Sequence, residues 1–516
     1  MLIPVLSADQ AAAWDRVARE DARIPSRVLM ESAGRAVAAA IARHYETALE
    51  RGVLVVCGRG NNGGDGWVAA RALAALGVSV GVHALAGEVS ADNAASRDLA
   101  LAHGVHQLGA DADWGGHGLV VDAVLGTGAT GAPKGDVAEG VERMMRAGAP
   151  VVAVDGPSGL DLTTGVVHAP CVRAGMSVTF GGYRRGHLLQ RSLCGRIVAV
   201  EMGFPPPDPA WPAVVTDAWL AGVLSPFSAE MHKGDRGKVL VIGGSDGMAG
   251  AAIFTAKAAQ RSGAGLARIA VSAQSALASQ GSNPEIMCTT SALGGPLEPE
   301  LVEAVQWADA VVLGPGLGRG ALRSAFARSV LGTVAAPVLV DADGLMAFKG
   351  AAAELKGLLA GKRALLTPHK GEFAALFPDL ADGARRDPFA AATAAAERVG
   401  QAVLLKGVPT VIAAPGVPTL VSASGNPGLA TGGTGDVLAG MAACWLARGA
   451  PPQSAGAAGA HVHGRSAEDV ARHRSVRSLR PDDLLGVLSP LWRELGDYRL
   501  KADPPFLGEL EAPAVT

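Results

Sequence analysis

Thr431-Gly432-Gly433-Thr434-Gly435-Asp436, followed at once by Val437-Leu438-Ala439-Gly440-Met441, is a glycine turn that opens an apolar helix and sets one carboxylate at its mouth. Glycines let a backbone approach an anion with no Cβ in the way, and the unpaired N–H groups of a first helical turn bind the negative charge. An aspartate beside bound phosphate is repelled, so its place there calls for a task. That task is to take the proton from a hydroxyl that attacks a phosphoryl group while the turn amides stabilise the transferring oxygens. The residues alone leave a second role open for Asp436, that of a first-turn helix cap.

Outward from this turn, short β-branched runs recur, each leading into an alanine-rich helical stretch. Lys238-Val239-Leu240-Val241-Ile242, Ala310-Val311-Val312-Leu313, Val338-Leu339-Val340 and Ala364-Leu365-Leu366 lie upstream in the same half of the chain. Ala402-Val403-Leu404-Leu405 and Thr410-Val411-Ile412 read as two strands around a tight turn. Val53–Val56, Leu119–Asp122 and Val151–Asp155 repeat the rhythm earlier. This is the pattern of βα units around buried parallel sheets, so the fold class is α/β. Pro205-Pro206-Pro207-Asp208-Pro209 interrupts it as a linker, and the division expected is a first domain over 1–215 and a larger one over 225–500. The tail from Lys501, with Pro504, Pro505 and Pro513, shows no periodicity and is expected to fray. The glycine motifs of the two halves differ in spacing, so no internal repeat is read.

A chain of 516 residues exceeds what one core supports, which agrees with two domains. Hydrophobic residues make up 49% and aromatics 4%, and the 69 glycines are spread through apolar runs, a globular and not a disordered composition. A net charge of −3 with scattered Lys and Arg gives no footprint for nucleic acid or an anionic membrane. The five cysteines are far apart without CxxC spacing, so buried free thiols are expected, with no disulfide framework or zinc site. Neither a signal peptide nor a membrane span is read, and a soluble cytoplasmic protein is expected.

In the first half, Cys57-Gly58-Arg59-Gly60-Asn61-Asn62-Gly63-Gly64-Asp65-Gly66 follows a strand and reads as a loop, with a helix expected from Trp67. The spacing is not that of a simple dinucleotide loop. Asp122…Gly128 and Asp155-Gly156-Pro157-Ser158-Gly159-Leu160-Asp161 mark two further strand ends, which converge on this loop if the sheet is parallel. Together their Asn, Asp and Ser oxygens suggest a weakly bound cation beside a phosphate-bearing ligand, although each acid taken singly could be a turn or cap residue.

These three segments closely resemble the YjeF amino-terminal domain, the NAD(P)H-hydrate epimerase family, over most of residues 1–215. The resemblance implies a Rossmann-like three-layer domain. It implies that Asn61, Asn62, Gly63, Gly64 and Asp65, with Gly126, Thr127, Gly128, Ala129, Thr130, Gly131 and Ala132, line the site for the hydrated nucleotide. It further implies K+ held by Asn62, Asp122 and Ser158, and Asp155 against the substrate, our candidate acid/base. Lys134 stands where family members often carry an arginine, and is expected to keep a phosphate-facing charge.

The Gly433–Asp436 turn resembles the anion hole of the ribokinase-like fold. With it come His232-Lys233-Gly234-Asp235-Arg236-Gly237, Gly243-Gly244-Ser245, Gly314-Pro315-Gly316-Leu317-Gly318, Asp341-Ala342-Asp343 and Thr367-Pro368-His369-Lys370-Gly371-Glu372, in that order. The series resembles the ADP/ATP-dependent NAD(P)H-hydrate dehydratases over about 225–495, and the whole chain resembles the bifunctional nicotinamide nucleotide repair enzymes. The resemblance implies that Lys406, Gly407, Val408, Pro409, Thr410 and Gly435 bind the adenine nucleotide, while Ala251, Gly316, His369 and Asp436 face the hydrated substrate. Gly433, Thr434 and Gly435 amides would hold the transferring charge, and Mg2+ would accompany ADP or ATP. NADHX or NADPHX is the expected substrate, and a homo-oligomer is expected. The rival reading is a ribokinase-like small-molecule kinase with a regulatory nucleotide-binding domain, and a third makes the first half a binding module without chemistry.

Overall fold

The computed structural model describes residues 1–223, 227–496 and 505–515. The chain divides into two compact units, one made of Ile3–Trp211 with Lys501–Pro513, the other chiefly of Pro212–Leu500.

In the first unit Val53–Cys57, Leu119–Ala123 and Val151–Val154 are buried along their whole length. Apolar runs without alternation suit strands covered on both faces, as parallel sheets are. The strand order is Phe506–Leu510, Arg196–Val200, Met176–Phe180, Val151–Val154, Leu119–Ala123, Val53–Cys57, Val80–Ala84 and His106–Gln107. All neighbours are parallel except the first pair. That first pair corrects the expected fraying of the tail. Phe506–Leu510 pairs antiparallel with Arg196–Val200, and the Arg196 guanidinium meets Glu509 at 3.1 Å. An edge strand offers unpaired N–H and C=O groups to any extended segment that returns to it, and five residues are too few to show periodicity. Lys501–Pro504 lie outside the described residues.

Val53–Cys57 has a later strand on either side, Val80–Ala84 and Leu119–Ala123. Strand order therefore reverses there, and a crevice opens at the carboxyl ends. The backbones on its two walls are close: a Cβ on Gly58 would lie 2.1 Å from the Val124 carbonyl oxygen. The segment after Gly58 corrects a second expectation. The helix begins at Asn61, not Trp67, and runs to Ala75. A Cβ would meet the Gly58 carbonyl at 2.0 Å from Gly63, Met30 at 2.5 Å from Gly64, and Ala123 at 2.5 Å from Gly66. These glycines serve close packing of a helix end, which a local reading cannot tell from loop glycines.

In the second unit the order is Met287–Thr290, Leu266–Val271, Lys238–Ile242, Ala310–Leu313, Val338–Val340, Ala364–Leu366, Ala402–Leu405, Thr410–Ala414, Val417–Ser422 and Ala213–Val215. The run to Ala402–Leu405 is parallel, and Ala402–Leu405 and Thr410–Ala414 form the antiparallel pair around a tight turn. Order reverses again beside the first strand, Lys238–Ile242, which lies between Leu266–Val271 and Ala310–Leu313. A Cβ on Gly243 would lie 2.0 Å from the Pro315 carbonyl.

The helix Thr434–Ala447 is buried almost throughout and has no polar face, as befits a central helix covered on all sides. Gly440 lets it close on the helix Ala249–Arg261, since a Cβ there would stand 2.0 Å from the Thr255 carbonyl oxygen. Among the described residues no helix is long and apolar enough to cross a membrane.

Gly440→Val should therefore force backbone apart and lower stability by about 1–3 kcal/mol, read as a lower urea midpoint with little change in slope. Gly250→Ala, in a helix where an added Cβ meets nothing within 4 Å, should be neutral or stabilising by about 0.5–1 kcal/mol.

Candidate active sites

In the first unit Asp155 ends the strand Val151–Val154 and holds φ at +64°, a conformation that costs a non-glycine residue energy and needs firm support. Its N–H donates to Val178 O at 2.7 Å. Buried His187 supplies the rest: one ring nitrogen donates to Asp155 O at 2.7 Å and the other accepts the Arg184 amide at 3.1 Å. A carbonyl only accepts and an amide only donates, so this ring is the neutral Nε2–H tautomer. Burial pushes its pKa down to about 4, which agrees.

The Asp155 carboxylate accepts from the Thr127 amide at 2.7 Å, from the Thr127 hydroxyl and from Thr179 Oγ1 at 3.3 Å, and faces the Arg184 guanidinium at 3.3 Å. Burial alone would raise its pKa, but the Arg184 charge and the Thr127 hydrogen bonds outweigh it and hold the carboxyl below its ordinary value. Asp155 is an ionised carboxylate pinned in place.

Asp122 is fully buried at the end of Leu119–Ala123. It accepts from the Ser158 amide at 2.8 Å, the Ser158 hydroxyl at 2.7 Å and the Val124 amide at 3.2 Å. Burial still pushes it up to about 6, against those hydrogen bonds. Asn62 has its Nδ2 buried with no hydrogen-bond partner among the described residues. A Cβ on Gly126 would come within 3.2 Å of Asn62 Oδ1 and 3.4 Å of Asp155 Oδ2, so the strand ends do converge.

A cavity of about 560 Å3 opens here, lined by Asn61, Asn62, Asp65, Asp155 and the Gly126–Ala129 loop. Thr130, Gly131, Ala132 and Lys134 are exposed. Gly63 and Gly64 are buried in the helix packing and do not line it. Sequence reading missed Thr179, Arg184 and His187. The available signal was Gly181-Gly182-Tyr183-Arg184-Arg185-Gly186-His187 directly after Met176–Phe180, the strand beside Val151–Val154.

In the second unit Gly433 holds φ at +91° and the helix starts at Thr434. The Thr434 amide turns back to Thr431 O at 3.3 Å and its hydroxyl donates to Leu429 O at 2.7 Å, so Thr434 braces the turn from within. Among the described residues no acceptor faces the Gly433 and Gly435 amides. A Cβ on Gly435 would be 3.8 Å from Lys406 Nζ, which sets the lysine against the turn. Lys406 Nζ donates to Asp341 Oδ1 at 2.8 Å and lies 3.7 Å from Glu372 Oε2. Burial would discharge it, but Asp341 and Glu372 outweigh this and keep it cationic. Asp341 is held by the Thr367 hydroxyl at 2.8 Å, and the next residue, Ala342, has φ +49°.

Around this one ammonium group stand Asp341, Glu372 and Asp436. Burial, then the Asp341 charge, push Asp436 up to about 7, with Lys406 opposing. Beneath the turn His463 is buried and held near Thr434 by a backbone hydrogen bond, its pKa lowered to about 4 by burial. Ala251 and Gly316 meet at the reversal of strand order: Gly316 has φ +62°, and a Cβ there would be 3.1 Å from Ala251 Cβ. His369 caps the helix Lys370–Leu376 through the Gly371 amide at 2.9 Å, beside Lys406 across a backbone bridge. Gly407 to Thr410 form the turn after Lys406, closed by Thr410 Oγ1 donating to Gly407 O at 3.1 Å, with Val408 exposed. Asp341, Glu372 and His463 were not singled out from sequence as site residues. The first two lay in recognised segments, but a histidine inside an alanine-rich helix gives no local signal.

Two family models match the chain: the YjeF-related protein N-terminus over 26–186 and NAD(P)H-hydrate dehydratase over 239–489. The bifunctional NAD(P)H-hydrate repair enzyme Nnr of Moorella thermoacetica is 36% identical, the match covering 95% of this chain and 97% of that protein. The protein of the same description from Escherichia coli is 32% identical, with 84% of each covered. Among solved structures, an ADP/ATP-dependent NAD(P)H-hydrate dehydratase from Bacillus subtilis co-crystallised with ATP/Mg2+ is 28% identical, covering 54% of this chain and 97% of that one at a TM-score of 0.47. A ribokinase-like superfamily protein from Enterococcus faecalis is 24% identical, covering 56% and 97% at a TM-score of 0.49. With both halves matched in order and identity sustained over nearly the full length, the chain belongs to the family of bifunctional NAD(P)H-hydrate repair enzymes.

Proposed function

We propose that this chain repairs hydrated NAD(P)H by interconverting its R and S epimers in the first unit and by dehydrating the S epimer, with ADP or ATP as phosphoryl donor, in the second. The observation that carries the dehydratase reading is the Asp436 carboxyl at the mouth of a free-amide turn beside a cationic Lys406.

Hydroxide on ring carbon six of hydrated NADH is a poor leaving group, and phosphorylation makes it a good one. Asp436 takes the hydroxyl proton, the oxygen attacks the terminal phosphorus, and AMP or ADP leaves. The ring nitrogen lone pair then expels phosphate as the carbon–oxygen bond breaks, and loss of a proton from carbon five restores the dihydronicotinamide ring. Gly433 and Gly435 amides and Lys406 stabilise the transferring charge. Asp341, Glu372 and Asp436 against one lysine leave an acidic floor, which accepts a polyphosphate tail only with its own cation. Mg2+ fits that requirement, and when bound it would neutralise the phosphates.

In the first unit the pinned carboxyl of Asp155 is the candidate acid/base of the epimerase. Asn62, Asp122 and Ser158 fit K+: all three offer oxygen ligands, and Asp122 is a carboxyl whose pKa burial raises, so a positive charge would favour its ionised form. A cation bound there would balance that carboxylate. The repair reading is favoured over a kinase because the second unit matches NAD(P)H-hydrate dehydratase over 239–489.

Incubating hydrated NADH with ADP and with ATP separately should restore NADH absorbance with at least one donor. Asp436→Asn should slow this about 10²–10⁴-fold. A stable phosphorylated product without NADH would support the kinase, and near-normal turnover of the variant would remove Asp436 as base. A base works only when deprotonated, so with its pKa raised to about 7 dehydration kcat/KM should fall as pH drops through about 7. Lys406→Met removes the charge that opposes this rise, and at saturating donor the acidic limb should move to higher pH. Asp155→Ala should leave dehydration of S intact and reduce conversion of R to the spontaneous rate, followed by chromatography of the two epimers.

A further inference from the structure

One strand of the first unit comes from the far end of the chain, after the whole of the second unit in sequence: Phe506–Leu510, laid antiparallel on the outer edge of Arg196–Val200. Ile197 to Val200 are buried, while the added strand is half-buried throughout. An extended segment added to a sheet edge gains affinity from main-chain hydrogen bonds and specificity from the side chains that flank it.

The flanking chemistry here is specific. Glu509 is met by three basic side chains, Arg196 at 3.1 Å, His44 Nε2 at 3.3 Å and Arg43 Nε at 3.9 Å. The Glu511 carboxylate accepts from Arg196 at 2.8 Å and its carbonyl accepts from Arg191. Phe506 packs against the core of the unit, with the Arg43 guanidinium 5.4 Å from its ring centroid. The edge thus reads an aromatic residue followed by acids three and five positions on.

The docked segment also reaches the support of Asp155. Phe506 stands opposite Val200, and Pro505 O accepts from the Glu201 amide at 2.6 Å. Val200 pairs in turn with Phe180 and accepts from the Gly181 amide at 2.8 Å. The Phe180 and Gly182 carbonyls hold the Arg184 guanidinium at 3.2 and 2.9 Å, and Arg184 faces Asp155. Gly508 lies behind the same segment, where a Cβ would be 3.5 Å from the hydroxyl of Tyr183, the neighbour of Arg184. No residue of the tail lines the cavity that holds Asp155, so the tail can act on that site only through these contacts.

We propose that the Arg196–Val200 edge is a docking site for an extended acidic segment, that residues 505–511 of this chain are its ligand, and that their docking positions Arg184, and through it Asp155, for epimerisation. The positioning part rests on the epimerase reading of this unit. Phe506 and Glu509 are then positioning residues that never touch the substrate.

The test uses the full chain with Phe506→Asp and Glu509→Lys together, which removes the ring and sets a lysine among basic groups. Epimer interconversion without ADP or ATP, followed by chromatography, should fall about tenfold or more in kcat, with KM for hydrated NADH within about twofold of the parent. Dehydration of the S epimer by the second unit should be unchanged. A labelled synthetic peptide of residues 505–513 should bind this variant, read by fluorescence anisotropy, and restore interconversion. The same peptide with Glu509→Lys and Glu511→Lys should do neither. Unchanged interconversion in the variant, or a loss that the peptide neither binds nor repairs, would overturn the proposal. A parent that does not interconvert the epimers would refute the epimerase reading and the positioning with it, and peptide binding would then decide the docking site by itself.

Discussion

A parallel strand whose neighbours were laid down by chain running first to one side and then to the other has a gap at its carboxyl end that no connection crosses. Both units are organised by that constraint, at Val53–Cys57 in one and Lys238–Ile242 in the other. In each, a glycine follows the strand directly, Gly58 or Gly243, and its missing Cβ lets the backbone of the flanking strand end come close. Without that approach the functional residues on adjacent strand ends would stand apart. The likeness comes from sheet topology and not from a repeated sequence.

The two sites then use burial in opposite ways. Asp155 is desolvated but surrounded by donors and one guanidinium, so it stays ionised. Asp436 is desolvated among other acids with one ammonium to share, so its pKa climbs to about 7. A carboxyl poised near neutrality can take a proton from an alcohol and give it up again. Left-handed backbone at Asp155 and Ala342, each next to this machinery, is strain carried where the surrounding contacts over-determine it.

Much of this was legible beforehand because its causes are local. The buried β-branched runs identified the strands, the proline run falls just before the division of the chain, and the Gly433–Asp436 turn announced a helix start with a carboxylate at its mouth. Less legible was anything set by partners distant in sequence. The Asn61–Gly66 glycines looked like a loop because the neighbours that require them, Met30, Gly58 and Ala123, are brought there only by folding. The short segment Phe506–Leu510 became a strand because an edge was waiting for it.

The sequence by itself determined which residue types stand at each strand end, since those follow from short-range pattern and turn chemistry. Only the tertiary structure decided their protonation and company. His187 bracing Asp155, and Asp341 and Glu372 crowding Lys406, depend on distances between residues far apart in the chain. Burial and neighbouring charges set the protonation of a group, so a pKa is a property of the packed site and not of the residue that carries it.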